Sequence, residues 1–385
     1  MKTDALRLTV CLLCPLLGHA EGLLAVDNPG KNGLDNKAYA TFDAFEGNDQ
    51  VAMHEYGGGW QGNYSPRSGT NIGLLSVRTE IGVQSQGYRL GILYRAEDVV
   101  EASRDTADLV QQYSTRSGYD VGRTYQLDYQ ISGFEADGVR LSRSFQFNFG
   151  SQWQMDWGLG LSYLHGKSIR LETVIGRAVS INSKDFNSGA SMTSTDSQIN
   201  VGNLATFNAP FGRLLSPSGQ GYALDAGLVL HHQESGASFE MSVADLVGRM
   251  SWNDLPTNVS TYSSATKYYG ADGYVQFNPS KTRTSGYENL SQVLDPKFWL
   301  AANYPIGAFE VQGATSYTRG YWFPQAGVKY RINPEWGLGA DIDFRFRTVR
   351  LSLNHQLIYI ALRAESLNLG EARAYGFNGG VNVPF

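Results

Sequence analysis

The stretch Tyr375-Gly376-Phe377-Asn378-Gly379-Gly380-Val381-Asn382-Val383-Pro384-Phe385 alternates from its first residue to its last. Tyr375, Phe377, Gly379, Val381, Val383 and Phe385 share one parity, and Gly376, Asn378, Gly380, Asn382 and Pro384 share the other. Side chains change face at every strand residue, so this segment has one apolar face and one polar or small face. A soluble β-sandwich shows the same alternation but has no particular reason to finish on it. A closed membrane barrel needs apolar residues outside, polar residues inside, and a last strand that seals against the first.

Working back from that end, the same pattern recurs. In 336–346, Trp336, Leu338, Ala340, Ile342, Phe344 and Phe346 alternate with Gly337, Gly339, Asp341, Asp343 and Arg345. A helix would scatter those charges around its circumference. Tyr125 to Ile131, Ser144 to Phe149, Trp157 to Tyr163, Leu224 to Leu230 and Phe239 to Val243 repeat the theme. Further candidates lie at 38–45, 72–84, 88–96, 168–181, 298–304, 308–318, 326–332 and 357–365. Many are about ten residues long, the length of a tilted membrane strand. Aromatics stand at strand ends, as in Trp157 with Tyr163 or Phe309 with Tyr317, where interfacial girdles belong. Turn residues separate the segments at 135–138, 234–236, 305–307 and 333–334. The expected fold is all-β: one transmembrane antiparallel up-and-down barrel of about 14–16 strands, with one short helix in a loop. Near 347–349 the apolar parity flips without a turn residue, which fits either a bulge or a very tight hairpin.

Two stretches break the alternation. Within 98–118, Val99, Ala102, Thr106, Leu109, Val110 and Tyr113 fall at helical spacing, with Asp98 as a cap and Gly118 beyond the end. The stretch 183–218 is rich in Ser, Thr, Asn and Gly and reads as an extended polar loop; 253–297 is similarly irregular.

The other end of the 385 residues suits export. Lys2 and Arg7 precede an apolar run, Leu8 to Leu17, and Gly18-His19-Ala20 offers small residues for cleavage. Residues 1–20 are expected to be a signal peptide, 21–37 an N-terminal segment with a place in the lumen, and 38–385 the barrel. Cys11 and Cys14 both fall in the leader, so the processed chain has no thiol for disulfides or metal. Removing Lys2, Arg7 and Asp4 leaves 29 basic and 35 acidic side chains. No basic block tracks phosphates, which argues against nucleic acid as a partner. No 18-residue apolar run exists for a membrane helix, while aromatics reach 12% and glycines number 44.

Catalytic and metal-binding groups are not expected. His231 and His232 are adjacent in a strand and point to opposite faces, and His54, His165 and His355 are scattered; a metal needs three or four convergent ligands. Asn354-His355-Gln356 invites comparison with barrel phospholipases, but Leu357 stands where their nucleophilic serine would be. No nucleophile elbow, phosphate loop or cofactor motif occurs. The candidate functional residues are instead charged side chains expected on the lumen face: Asp341, Asp343, Arg345 and Arg347, with Lys329 and Arg331 on the preceding strand. They would either tune solute selectivity or neutralise one another and stiffen the wall.

The ending, with Tyr375, Phe377, Val381, Val383 and terminal Phe385, resembles the assembly signal of bacterial outer-membrane β-barrels. That resemblance implies outer-membrane lipid and the barrel assembly machinery as partners. Residues 221–256, reading Gly-Tyr-Ala-Leu-Asp-Ala-Gly-Leu-Val, then Phe-Glu-Met-Ser-Val-Ala-Asp-Leu, then Met-Ser-Trp-Asn-Asp-Leu-Pro, resemble the long-chain fatty-acid transporter and TraF-like barrel group. The implication is a medium-sized Gram-negative barrel, monomeric or loosely associated. Two functions stay open: a channel or transporter for small solutes, or a non-conducting accessory barrel of an envelope, secretion or conjugation system.

Overall fold

The computed structural model describes residues 22–56, 58–199, 216–269, 271, 274–277 and 279–385. The signal peptide expected at 1–20 lies outside them. The strands are β1 (Lys37–Asn48), β2 (Thr70–Ser85), β3 (Tyr88–Ser103), β4 (Thr124–Phe149), β5 (Trp153–Ser180), β6 (Phe186–Asp196), β7 (Ser218–His232), β8 (Ser238–Ser263) and the short β9 (Lys267–Tyr269) and β10 (Val275–Phe277). They continue with β11 (Lys281–Val293), β12 (Lys297–Ile306), β13 (Phe309–Thr318), β14 (Tyr321–Arg331), β15 (Trp336–Asp343), β16 (Val349–His355), β17 (Ile358–Ala364) and β18 (Ala374–Pro384). Among the described residues one α-helix, α1 (Arg104–Thr115), follows β3.

The wall closes where β1 meets β18, in a ladder running from Lys37↔Pro384 to Gly47↔Ala374. Fourteen strands form this closed antiparallel barrel. The remaining sheet strands arise by forking. The lower part of β5 pairs with β7 from Trp153 to Gly166, and its upper part pairs with β6 from Arg170 to Ser180. The upper part of β8 likewise takes β6 on one side and β11 on the other. At the end holding Lys37 and Pro384 the connections are tight turns; at the opposite end they include the long stretches between β1 and β2 and between β3 and β4. Such asymmetry is usual in transmembrane barrels.

Alternation becomes sidedness once the strands pair. Ile81 faces Ile92, Val83 faces Leu90, Leu141 faces Leu161, and Leu351 faces Leu362 across neighbouring strands. All eight are exposed on the outside, Ile92 to 71%. Their ladder partners on the other parity, such as Glu80, Arg89, Arg140 and Arg363, are buried inside. That is the inverse of a soluble protein and makes this a membrane-spanning wall. Aromatics rim the tight-turn end: Phe145 stacks on Trp157, Phe309 packs on Tyr330, and Trp336 on His355.

Several local expectations need correction. The turn read at 135–138 does not exist; β4 runs straight through 26 residues, and β5 opposite it bulges at Lys167. The polar loop read at 183–218 contains β6, and the irregular 253–297 contains the end of β8 and all of β11. The helix begins at Arg104, with Ser103 as its cap accepting the Thr106 N–H; Val99 and Ala102 still belong to β3. Its buried residues are Thr106, Ala107 and Asp108, so it docks by a largely polar face. The parity flip is a tight hairpin: β15 ends at Asp343, and Arg347 has a left-handed φ of +58.

Candidate functional site

The lumen is filled from two sources, wall side chains and the segment 22–36 that precedes β1. Leu23, Leu24 and Val26 pack among Phe45, Ile72, Leu74, Trp299, Phe323 and Phe346, which come from walls on different sides of the barrel. Below them Asn28 opens a short 3-10 turn, Pro29–Lys31. This turn presses on β5 and β7 where both walls carry glycine. A Cβ at Gly158 would overlap the Pro29 carbonyl, and one at Gly227 would overlap the Asn28 side chain. Asn28 Nδ2 donates to Glu240 Oε1 at 2.9 Å, and Lys31 pairs with the same carboxylate at 2.8 Å. Asn32 reaches Ser142 at 3.0 Å, and Gln84 closes the lower end by donating to the Gly33 carbonyl at 2.8 Å.

Two ionic networks hold this filling. In the first, Asp27 of the segment meets Arg140 at 2.7 Å and Arg89 at 3.5 Å. Arg140 also binds Asp225 at 3.1 Å; Glu80 receives Arg89, Arg78 and the Tyr39 hydroxyl at 3.1, 3.0 and 2.6 Å. In the second, Asp245 accepts both Arg95 nitrogens at 2.8 and 2.6 Å and Lys297 at 2.5 Å, while Glu97 joins Arg95 and Lys297. Asp245 stands in a break of the β7–β8 ladder between Leu224 and Ala226, with φ +58. A non-glycine residue there costs about 1–2 kcal/mol. Its three cationic contacts and its N–H bond to Asp225 at 3.1 Å offset that cost. Charges this deep are tolerated only when paired.

The six charged residues singled out from sequence do not gather in one place. Asp341 faces the lumen and binds Arg350 at 2.5 Å and Arg363 at 3.2 Å. Asp343 is fully buried and accepts the Phe346 N–H at 2.7 Å, so it shapes the β15–β16 hairpin. Arg345 sits at the mouth on Asp49, 2.6 Å away. Arg347 is exposed and does not enter the lumen; the hairpin turns Phe346 inward in its stead. Lys329 pairs with Glu310 at 3.5 Å, and Arg331 is exposed at the end of β14. Of the C-terminal set, Phe377, Val381, Val383 and Phe385 are exposed, and the Tyr375 hydroxyl donates to Glu46 at 3.0 Å. The residues that matter most inside, Glu80, Arg89, Arg95, Arg140, Asp225 and Asp245, were not singled out. Their signal was available for Glu80, Arg89, Arg95 and Asp225, which are charges on the polar parity of segments already read as strands.

Among the described residues, no group of three or more His, Cys, Asp or Glu is placed to hold a metal ion. No protein-family model matches the chain, and no curated protein sequence matches it. Among solved structures, the chain is similar to the CymD monoaromatic hydrocarbon channel at 11% identity over 93% of this chain and 91% of that one, with a TM-score of 0.28. The Ralstonia pickettii toluene transporter TbuX gives 11%, 95% and 92%, with 0.28. A Pseudomonas aeruginosa FadL homologue gives 10%, 93% and 93%, with 0.26. Superpositions this loose carry no inference about family or solute. The barrel assignment rests on the strand ladders themselves.

Proposed function

We propose that the chain is a bacterial outer-membrane barrel that acts as a channel or transporter for small solutes, with segment 22–36 as the removable part of its filling. One observation carries this reading. The wall is a complete ring of ladders, whereas the segment inside it is held by side-chain hydrogen bonds, ion pairs and apolar contact. A ring whose centre is filled by a separate segment can be opened without breaking a single wall ladder. Export by the N-terminal leader and insertion through the exposed C-terminal strand belong to the same proposal; no reaction is proposed.

The non-conducting accessory barrel remains the second reading, favoured by full burial of Arg140 and Asp245 in balanced networks. Single-channel recording on refolded protein separates the two. Gly227→Val pushes on Asn28 and should raise conductance if the segment is the plug. Silence in both proteins rejects the channel.

A further inference from the structure

A separate ionic assembly lies at the long-loop end. Arg319 donates to Glu101 Oε2 and to Asp295 Oδ2, each at 2.7 Å. The Tyr321 hydroxyl donates to the other oxygen of Glu101 at 2.8 Å. The Arg345 guanidinium lies 5.2 Å from the Tyr321 ring centre and pairs with Asp49, which also holds Arg67 at 2.9 Å. Arg67 returns to the Arg345 carbonyl at 2.5 Å. Three acids and three arginines thus form one continuous, balanced chain.

Its path is the informative part. Glu101 is near the top of β3, and Arg319 lies in the turn between β13 and β14. These strands are roughly half the circuit apart, so the contact crosses the mouth and does not follow the wall. Directly beneath it, Val99 and Tyr321 pack on the apolar cluster that contains Ile72, Trp299 and Phe323. The turn holds Arg319 at φ +50 beside Gly320 at +86, a two-residue hairpin geometry that favours Asn or Gly at its first position. Strained backbone persists where its surroundings enforce it.

We propose that Glu101 and Arg319 form a strap that closes the outer mouth. Arg319 and Glu101 keep 16% and 19% of their side-chain surface, whereas Arg95 and Asp245 keep 4% and 0%. The strap is thus the more accessible of the two ties that cross the interior. The role of the strap as a gate rests on the channel reading; its existence as a closure does not.

The test measures access without needing flux. Ala301 lies in the apolar cluster and is 2% exposed. Ala301→Cys is made with Cys11→Ser and Cys14→Ser, and labelled with a cationic methanethiosulfonate in detergent micelles. Unboiled gel mobility confirms that each variant is folded. Glu101→Gln keeps shape and hydrogen bonding; it should speed labelling roughly tenfold at low salt, as loss of one partly buried charge-assisted pair allows. Arg319→Gln should do the same, and the double variant should be no faster than either, since one contact is lost only once. A wild-type labelling rate in Glu101→Gln, or multiplied effects in the double variant, overturns the strap. Strap-dependent labelling in a protein that never conducts would reject the channel and keep the closure.

Discussion

Arg95 on β3 grips Asp245 on β8 through two contacts of 2.8 and 2.6 Å, although three other strands separate β3 from β8 along the wall. The pair ties two walls together across the interior. Asp245→Asn leaves Arg95 and Lys297 short of compensation and should cost about 3–5 kcal/mol. The readout is the temperature at which unboiled protein loses its folded gel mobility. Adding Arg95→Met to Asp245→Asn should recover part of the loss, because Asn tolerates the left-handed backbone, Lys297 retains Glu97 at 2.9 Å and the uncompensated Arg95 cation is gone.

Trp252 lies fully buried over Gly166 and Gly219, and its indole N–H donates to Gln292 at 3.1 Å. A Cβ at Gly219 would fall within the van der Waals radius of the ring. Gly219→Ala should therefore destabilise by about 1–3 kcal/mol, the usual cost of overpacking. Urea unfolding measures the loss, and a red-shifted tryptophan emission would show that the ring has moved.

Phe385 is 73% exposed and contributes little to packing. Phe385→Ser takes one aromatic side chain off the detergent-facing surface and should lower refolding stability by at most about 2 kcal/mol. Assembly in cells should fall sharply if the C-terminal strand is read by the assembly machinery. Equal amounts of folded wild type and variant in cell envelopes would remove that role from Phe385.

Helix α1 docks on the edge of β4 outside the membrane belt, where Asp105 accepts the Gln126 N–H at 3.0 Å and pairs with Arg123 at 2.9 Å. Partial burial alone would raise its pKa, but those two donors hold the carboxyl below the usual aspartate range. A depressed folded value means that the docking stability is complete above the unfolded pKa of about 4 and disappears as pH falls through the folded value. The protection factors of the amides across 104–115, corrected for the intrinsic pH dependence of exchange, should be high at pH 7 and fall in strong acid. Asp105→Asn should exchange faster at neutral pH and lose most of that dependence.

The barrel was legible because lipid imposes a strict period of two: wherever one face meets hydrocarbon, as at 336–343, the strand shows itself. Where both faces are polar, the period vanishes, and β6 with Ser188, Ser191, Thr193 and Ser194 passed for a loop. The break expected at 135–138 carried turn residues, yet Asp137 is the outward ladder partner of Tyr94 and His165, so neighbouring strands override the local preference. Charged residues on the inner parity were readable one strand at a time. Which ones meet was not, because Arg95 and Asp245 are 150 positions apart and only closure of the ring joins them.

The wall is not equally tall all round. β4, β5 and β8 run for 26, 28 and 26 residues, whereas β16 and β17 have seven each. Seven residues reach about 24 Å along the strand and roughly 18 Å once tilted, against an apolar band of about 25 Å. Hydrocarbon chains beside β16 and β17 must shorten, or the barrel must lean toward that side. Lipids of different acyl length would then set the inclination of the whole molecule.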